Sequence, residues 1–365
     1  MSKIAIIGAG KTGRGYIARL IRESEGEIVF IEKDKDLVDR LNKAGSFKIS
    51  FFGNCREPMV IDGYTAVTYD NADLSDVELI IVSVGGTNLP DVGKSLKDLI
   101  NDGQRRYIIT AENASHPAAT LLDNLGLDNV CAAESTVFCT TIEDGGLDIA
   151  SENYPYLQCD AKPLCGYDPG MPGIRPIDGF GNFLTRKLYT YNAASCVIAY
   201  LGFVKGFSDY GDAANDPEIL SALDRNYAAT NRVLCKEFGY DEKDQAEFAE
   251  LSKKKFCDRT IKDTVARNGR EPQRKLKWAE RVIGPMCLLD KYGEDISVLV
   301  ATAAAALLFT NESETQWNEM VASKSTQQLI NDVCGLSPDT KLGKMILKKR
   351  DELAEYMKSG KGNLI

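Results

Sequence analysis

A short apolar run, Ile4–Ile7, leads directly into Gly8-Ala9-Gly10-Lys11-Thr12-Gly13, and an amphipathic stretch with Ile17, Leu20 and Ile21 follows. Glycines at this spacing occur in many turns. Between a strand and a helix, however, each has its own task. Gly8 allows the tight turn, Gly10 lets the backbone approach a pyrophosphate, and Gly13 permits close helix–strand packing. The start of the helix then offers free N–H groups and a positive dipole end to the anion. Glu32 ends the next strand-like run, 19 positions after Gly13. An acid there hydrogen-bonds the adenosine ribose and repels a 2′-phosphate, which favours NAD over NADP. Lys33 and Lys35 follow closely and weaken that preference. The alternative reading of Glu32 is a strand-end acid on a solvated turn; its register with the strand and glycines argues for the dinucleotide site.

The first half of the chain continues in the same style. Ile28–Ile31, Leu79–Val84 and Tyr107–Thr110 are unbroken apolar runs rather than alternating ones, the pattern of strands buried on both faces, with helical segments between them. Repeated βα units predict an α/β Rossmann-type, doubly wound, mainly parallel sheet over residues 1–185. Within it, residues 162–181 hold five glycines and four prolines, which reads as a connecting segment without regular structure. Residues 186–365 read as a mostly α-helical domain. One of its helices is signposted by Asp216 as N-cap, Pro217 in the first turn and Gly239 as the stop. The apolar run Val298–Phe309 is too short for a bilayer, which needs about 20 residues, and reads as a buried core helix.

Composition then narrows the chemistry. Acids exceed bases by 53 to 44, a net charge of −9 over 365 residues, which argues against a nucleic-acid or anionic-membrane partner. There is one histidine, His116. No histidine-rich metal site and no mechanism using two imidazoles is available, so proton chemistry falls to a lysine, a carboxylate or a tyrosine. The ten cysteines include no C-x-x-C pair, so neither a zinc ribbon nor a thioredoxin-like motif is expected. The first residues enter a strand without the layout of a signal peptide, and a cytoplasmic protein with reduced cysteines is expected. Whether it is a monomer or a dimer stays open.

From Arg186 the chain runs Arg-Lys-Leu-Tyr-Thr-Tyr-Asn-Ala-Ala-Ser-Cys-Val-Ile-Ala-Tyr-Leu-Gly. This resembles the Lys-x4-Asn-x2-His signature of the polyol-specific long-chain dehydrogenases, in their mannitol-1-phosphate 5-dehydrogenase branch. The resemblance extends over nearly the whole chain. It includes the glycine segment through Gly15, the triplet Ala111-Glu112-Asn113, and Gly269-Arg270-Glu271-Pro272-Gln273-Arg274-Lys275-Leu276. It implies metal-independent hydride transfer with NAD. In it Lys187 is the general acid/base, and Asn113 and Asn192 donate hydrogen bonds to the oxygen that gains negative charge. Lys187 would then need a pKa well below the free value of about 10.4. On an ideal helix Lys187, Asn192 and Ser195 fall within an arc of about 140°. One position departs from the pattern: Ser195 stands where the family carries histidine. His116 reads as an ordinary loop residue before Pro117, and Cys196 is either reactive or simply buried.

Lys253 to Arg281 holds eleven basic residues against four acidic ones. Arg270, Arg274 and Lys275 are its candidates for binding a sugar phosphate. Pairing of Arg270 and Arg274 with acids across the domain interface, and for Lys253–Lys255 a solvated helix face, are the alternatives. The expected reaction is interconversion of mannitol 1-phosphate and fructose 6-phosphate. Its alternatives are another polyol or a sugar acid, or a non-catalytic NAD-binding relative.

Overall fold

The computed structural model describes residues 2–143 and 146–365. The chain forms two compact units, Met1–Phe183 and Leu184–Ile365.

The first unit is α/β. Its strands are β1 (Lys3–Ile7), β2 (Glu27–Ile31), β3 (Ser46–Phe51), β4 (Met59–Asp62), β5 (Thr65–Val67), β6 (Leu79–Val82), β7 (Arg106–Thr110), β8 (Val130–Thr136), β9 (Thr141–Glu143), β10 (Ile149–Ser151), β11 (Leu157–Asp160) and β12 (Ile174–Ile177). Among the described residues the main sheet has the order β12-β11-β8-β7-β6-β1-β2-β5. β5, β2, β1, β6, β7 and β8 run parallel, and β11 joins β8 antiparallel. The expected apolar runs are the centre of this sheet. Ile4–Ile7, Ile28, Phe30, Ile31 and Ile80–Val82 are almost entirely inaccessible, because helices cover both faces. Strand order reverses at β1, where β2 lies on one side and β6 on the other, and ligands of open α/β sheets bind at such a switch.

Two features depart from the sequence reading. The glycine- and proline-rich stretch 162–181 is not wholly irregular: Ala161–Leu164 is a short helix, and Ile174–Ile177 pairs with β11 as the terminal strand. Pro176 is tolerated there because an edge strand has one side without a ladder to donate to. A second, mixed sheet of order β4-β3-β10-β9 lies outside the expected pattern altogether.

The second unit is helical. Ala193–Val204 and Ser297–Ala306 are apolar nearly all round, and both are buried among the other helices. Alanines and Gly202 in these helices allow close approach: a Cβ on Gly202 would lie 2.8 Å from that of Ala213. Pro217–Phe238 is capped as expected. The Asp216 carboxylate accepts from the N–H groups of Glu218 and Ile219, and Gly239 closes the helix in the left-handed conformation at φ 73°. No helix among the described residues is long and apolar enough to cross a membrane.

Candidate active site

The three glycines of the first loop differ in what surrounds them. A Cβ on Gly8 would meet the Ser83 carbonyl oxygen at 2.3 Å, and its φ of +96° disfavours any side chain. A Cβ on Gly13 would lie 2.1 Å from the Gly8 carbonyl oxygen, so the helix could not sit so close to the turn. A Cβ on Gly10 would meet nothing within 4 Å, because Gly10 faces open space. That space is a cavity of about 580 Å³. It is lined by Gly8, Gly10, Glu32, Asn113 and the Ser83–Gly85 loop, among others. The residue set fits a dinucleotide: backbone exposed at a helix start beside a strand-end acid. Glu32 is fixed in place, since Oε2 accepts from the Ala9 N–H at 2.8 Å and Oε1 from the Asp34 N–H at 3.0 Å.

β6 stops at Val82, two residues short of the expected run, which frees Ser83–Gly85 to line the cavity. Asn113 follows β7. Its Nδ2 donates to the Val137 carbonyl at 3.0 Å, and its Oδ1 accepts from the Val137 N–H at 3.1 Å, so backbone bonds set the orientation of the amide. Lys11 and Tyr69 also line the cavity and were not singled out in the sequence. Lys11 lies inside the glycine motif itself. Tyr69 lies just beyond β5, and burial, assisted by the Glu32 charge, pushes its hydroxyl up to about 12.

In the second unit Lys187, Asn192 and Ser195 lie on one continuous run of helix. The spacing between them is not that of an ideal α-helix. Leu188–Asn192 forms a π-helical turn, followed by Ala193–Val204. Such a turn absorbs one extra residue, so the arc that holds Lys187, Asn192 and Ser195 narrows from about 140° to about 60°. The brace for this turn is Gln245, which is wholly buried. Its Oε1 accepts from Arg186 Nε at 2.6 Å, and its Nε2 donates to Thr190 Oγ1 at 3.2 Å and Asn231 Oδ1 at 2.9 Å. Arg186 in turn stacks on Phe248 at 4.3 Å. Residues before and within the turn are thereby tied to one side chain.

Lys187 has its pKa drawn down to about 7, chiefly by burial and further by the positive charges of Lys255 and Arg281. At that value it can both take and give a proton near neutrality. Ser195 accepts a hydrogen bond from the buried Tyr210 hydroxyl at 3.2 Å. Cys196 is fully buried, and burial raises its thiol pKa.

The basic segment is less uniform than its composition suggests. Lys275 is buried, donates to the Asn268 carbonyl, and has its pKa lowered by burial. Arg274 pairs with Glu271 at 2.8 Å, a neighbour three residues away. Arg270 is exposed, and its Nε donates to the Arg267 carbonyl. Arg281, not singled out in the sequence, stands at 15% side-chain exposure, and its charge acts on Lys187, Lys275 and Cys196 together. His116 is 82% exposed, in a left-handed conformation before Pro117, and 3.7 Å from Glu134.

Comparison with known proteins is consistent along the length of the chain. Residues 180–355 match the mannitol dehydrogenase C-terminal domain, and residues 4–158 match ketopantoate reductase PanE/ApbA. The chain is similar to the mannitol-1-phosphate 5-dehydrogenase of Neurospora crassa, at 27% identity covering 93% of this chain and 94% of the relative. It is similar also to that of Arthrobacter sp., at 26% identity covering 92% and 94%. Among solved structures it superposes on D-sorbitol dehydrogenase in substrate-free form with a TM-score of 0.76, at 12% identity, covering 98% of this chain and 93% of the other. It superposes on the Pseudomonas fluorescens mannitol 2-dehydrogenase ternary complex with NAD and D-mannitol with a TM-score of 0.66, at 14% identity, covering 98% and 92%. The second unit thus carries the mannitol dehydrogenase C-terminal domain over residues 180–355, and the chain as a whole is similar, nearly from end to end, to mannitol-1-phosphate 5-dehydrogenases and shares the fold of polyol dehydrogenases.

Proposed function

We propose that the protein is an NAD-dependent, metal-independent polyol dehydrogenase that interconverts mannitol 1-phosphate and fructose 6-phosphate. The observation that carries this reading is Lys187, held near neutral pKa on the same helical face as Asn192 and Ser195. The names of the full-length relatives support the substrate.

Gly8, Gly10 and Gly13 shape the cofactor loop, Lys11 adds a positive charge for the pyrophosphate, and Glu32 takes the adenosine ribose. NAD, when bound, supplies the hydride acceptor for alcohol oxidation and, as NADH, the hydride donor for ketone reduction. Neutral Lys187 accepts the proton from the substrate hydroxyl during oxidation, and its ammonium returns it during reduction. Asn113 and Asn192 donate N–H groups to the oxygen as it gains negative charge, and losing one such donor typically costs about 3 kcal/mol. Arg270, Arg274 and Lys275 are the family-matching phosphate candidates. Arg281 joins them because it is partly buried and shares their field.

The substrate assignment is tested by offering fructose 6-phosphate, fructose and a panel of keto-acids with NADH. Fructose 6-phosphate is expected to be turned over with a kcat/KM at least about a hundredfold above that of fructose, as lost charge-assisted bonds to phosphate would dictate. Arg281→Ala is expected to lower kcat/KM for the phosphorylated sugar much more than for fructose, whose value changes only through the raised Lys187 pKa that follows loss of the Arg281 charge. A preference for fructose or a keto-acid would transfer the protein to the other reading, a dehydrogenase of an unphosphorylated polyol or a sugar acid.

Ser195 keeps one function of the family's histidine. Because Tyr210 donates to Ser195 Oγ, the serine's own proton is left to donate elsewhere. Tyr210→Phe is expected to lower kcat roughly threefold to tenfold, the value of one neutral hydrogen bond, with NADH affinity unchanged. Ser195→His tests the position from the other side. A higher rate with the imidazole in place would mark the serine as a costly substitution in an otherwise ordinary family site.

A further inference from the structure

Glu112 is a carboxylate that the proposed chemistry does not use, yet it lines the same cavity as Gly10 and Glu32 and is only 8% exposed. Burying a carboxylate is unfavourable unless hydrogen bonds replace the lost water. Oε1 is satisfied twice, by the N–H of Val84 at 2.6 Å and of Gly85 at 2.8 Å. Among the described residues Oε2 accepts no hydrogen bond. Burial raises the pKa of this carboxyl, and the two N–H donors oppose that rise.

Position in the sheet gives the group a meaning. Reading across β2, β1, β6 and β7, Glu32 stands at the end of β2, the glycine loop at the end of β1, and Glu112 just beyond β7. Three strand spacings of about 4.8 Å put the two strands roughly 14 Å apart, with the pyrophosphate loop between them. A dinucleotide whose adenosine ribose meets Glu32 and whose phosphates meet Gly10 must carry its other ribose toward β6 and β7. Each acid is anchored to loop backbone through N–H groups, Glu32 to Ala9 and Glu112 to Val84 and Gly85. A carboxylate is an acceptor-only group, suited to a pair of hydroxyl donors.

We propose that Glu112 accepts hydrogen bonds from the ribose diol on the nicotinamide side of the bound dinucleotide, as the counterpart of Glu32 on the adenosine side. This rests on the dinucleotide reading of the cavity. The test is calorimetric titration of the full chain and of Glu112→Gln with NADH, ADP-ribose and ADP, of which only ADP lacks the second ribose. In the variant, NADH and ADP-ribose are expected to bind about tenfold more weakly or worse, the value of hydrogen bonds to a charged group, while ADP binds as before. Equal weakening of all three would reduce Glu112 to a brace for the Val84–Gly85 loop and overturn the proposal. Weakening of NADH alone would move the contact to the nicotinamide ring, and no weakening would remove the contact; either overturns the proposal as well. Should Glu112→Gln fail to fold, Glu112→Asp, which keeps the charge but withdraws it, is expected to show the same ligand pattern with a smaller loss. If the wild-type chain binds none of the three ligands, the dinucleotide reading itself has failed, an outcome distinct from failure of the Glu112 assignment.

Discussion

Lys187→Ala is expected to lower the rate of hydride transfer by about a thousandfold or more, within the range usual for removal of a general acid/base, while NADH affinity stays nearly intact. The separation follows from where the residue lies. Lys187 belongs to the helical unit, whereas the cavity that fits the dinucleotide is lined by residues of the first unit alone. Stopped-flow single turnovers beside NADH titrations would measure both quantities, and a large residual rate would remove the lysine from the proton-transfer role. The same substitution site has a stability signature. An unfolded lysine binds its proton up to the ordinary value of 10.5, whereas folded Lys187 releases it at about 7. Between these values the unfolded state binds more protons, so Lys187 makes stability rise with pH across that window. Below it, the full cost of burying the group bears on the fold. Lys187→Met is therefore expected to raise Tm at pH 6 by roughly a few degrees, with the advantage shrinking toward pH 10.

Gly10→Ala is expected to abolish measurable NADH binding while leaving thermal stability unchanged. The added methyl would meet no protein atom within 4 Å, so the fold has nothing to lose. It would occupy the space into which a pyrophosphate must come to reach the loop backbone. Gly13→Ala provides the contrast, because its methyl would collide with the Gly8 carbonyl oxygen at 2.1 Å and must destabilise the first unit as well. A calorimetric scan with an NADH titration on each variant separates the two. Normal NADH affinity in Gly10→Ala would mean that the cavity serves another ligand.

The parts of the structure that could be read from the sequence are those in which the controlling interactions are local or strongly periodic. The buried runs of β1, β2, β6 and β7, the glycine loop and the caps at Asp216 and Gly239 each depend on neighbours a few residues away. The small sheet was missed because β9 and β10 have three residues each, and β3 alternates, with Phe47, Ile49 and Phe51 buried, over only six. β12 was hidden by its glycines and by Pro176, which an edge position accommodates. Of the candidate site, Lys187, Asn192 and Ser195 are named by the resemblance to the Lys-x4-Asn-x2-His signature, but the π-helical turn that carries them is not. That turn depends on Gln245, whose partners Arg186 and Thr190 lie 59 and 55 residues away, and no local pattern announces such a contact. Tyr210 and Arg281 were missed for the same reason: each acts on the site through space, at Ser195 and at Lys187 respectively.

The proposed mechanism depends on a lysine that changes protonation near neutrality, and the pH dependence of fructose 6-phosphate reduction by NADH tests it most directly. In that mechanism reduction needs the ammonium form of Lys187, so kcat should be constant at low pH and fall tenfold per unit above about 7. Mannitol 1-phosphate oxidation should show the mirror image, rising to a plateau above the same pH. A kcat for reduction that stays flat through pH 7 and falls only near the ordinary lysine value would contradict the account, as would the absence of any NADH oxidation with this substrate.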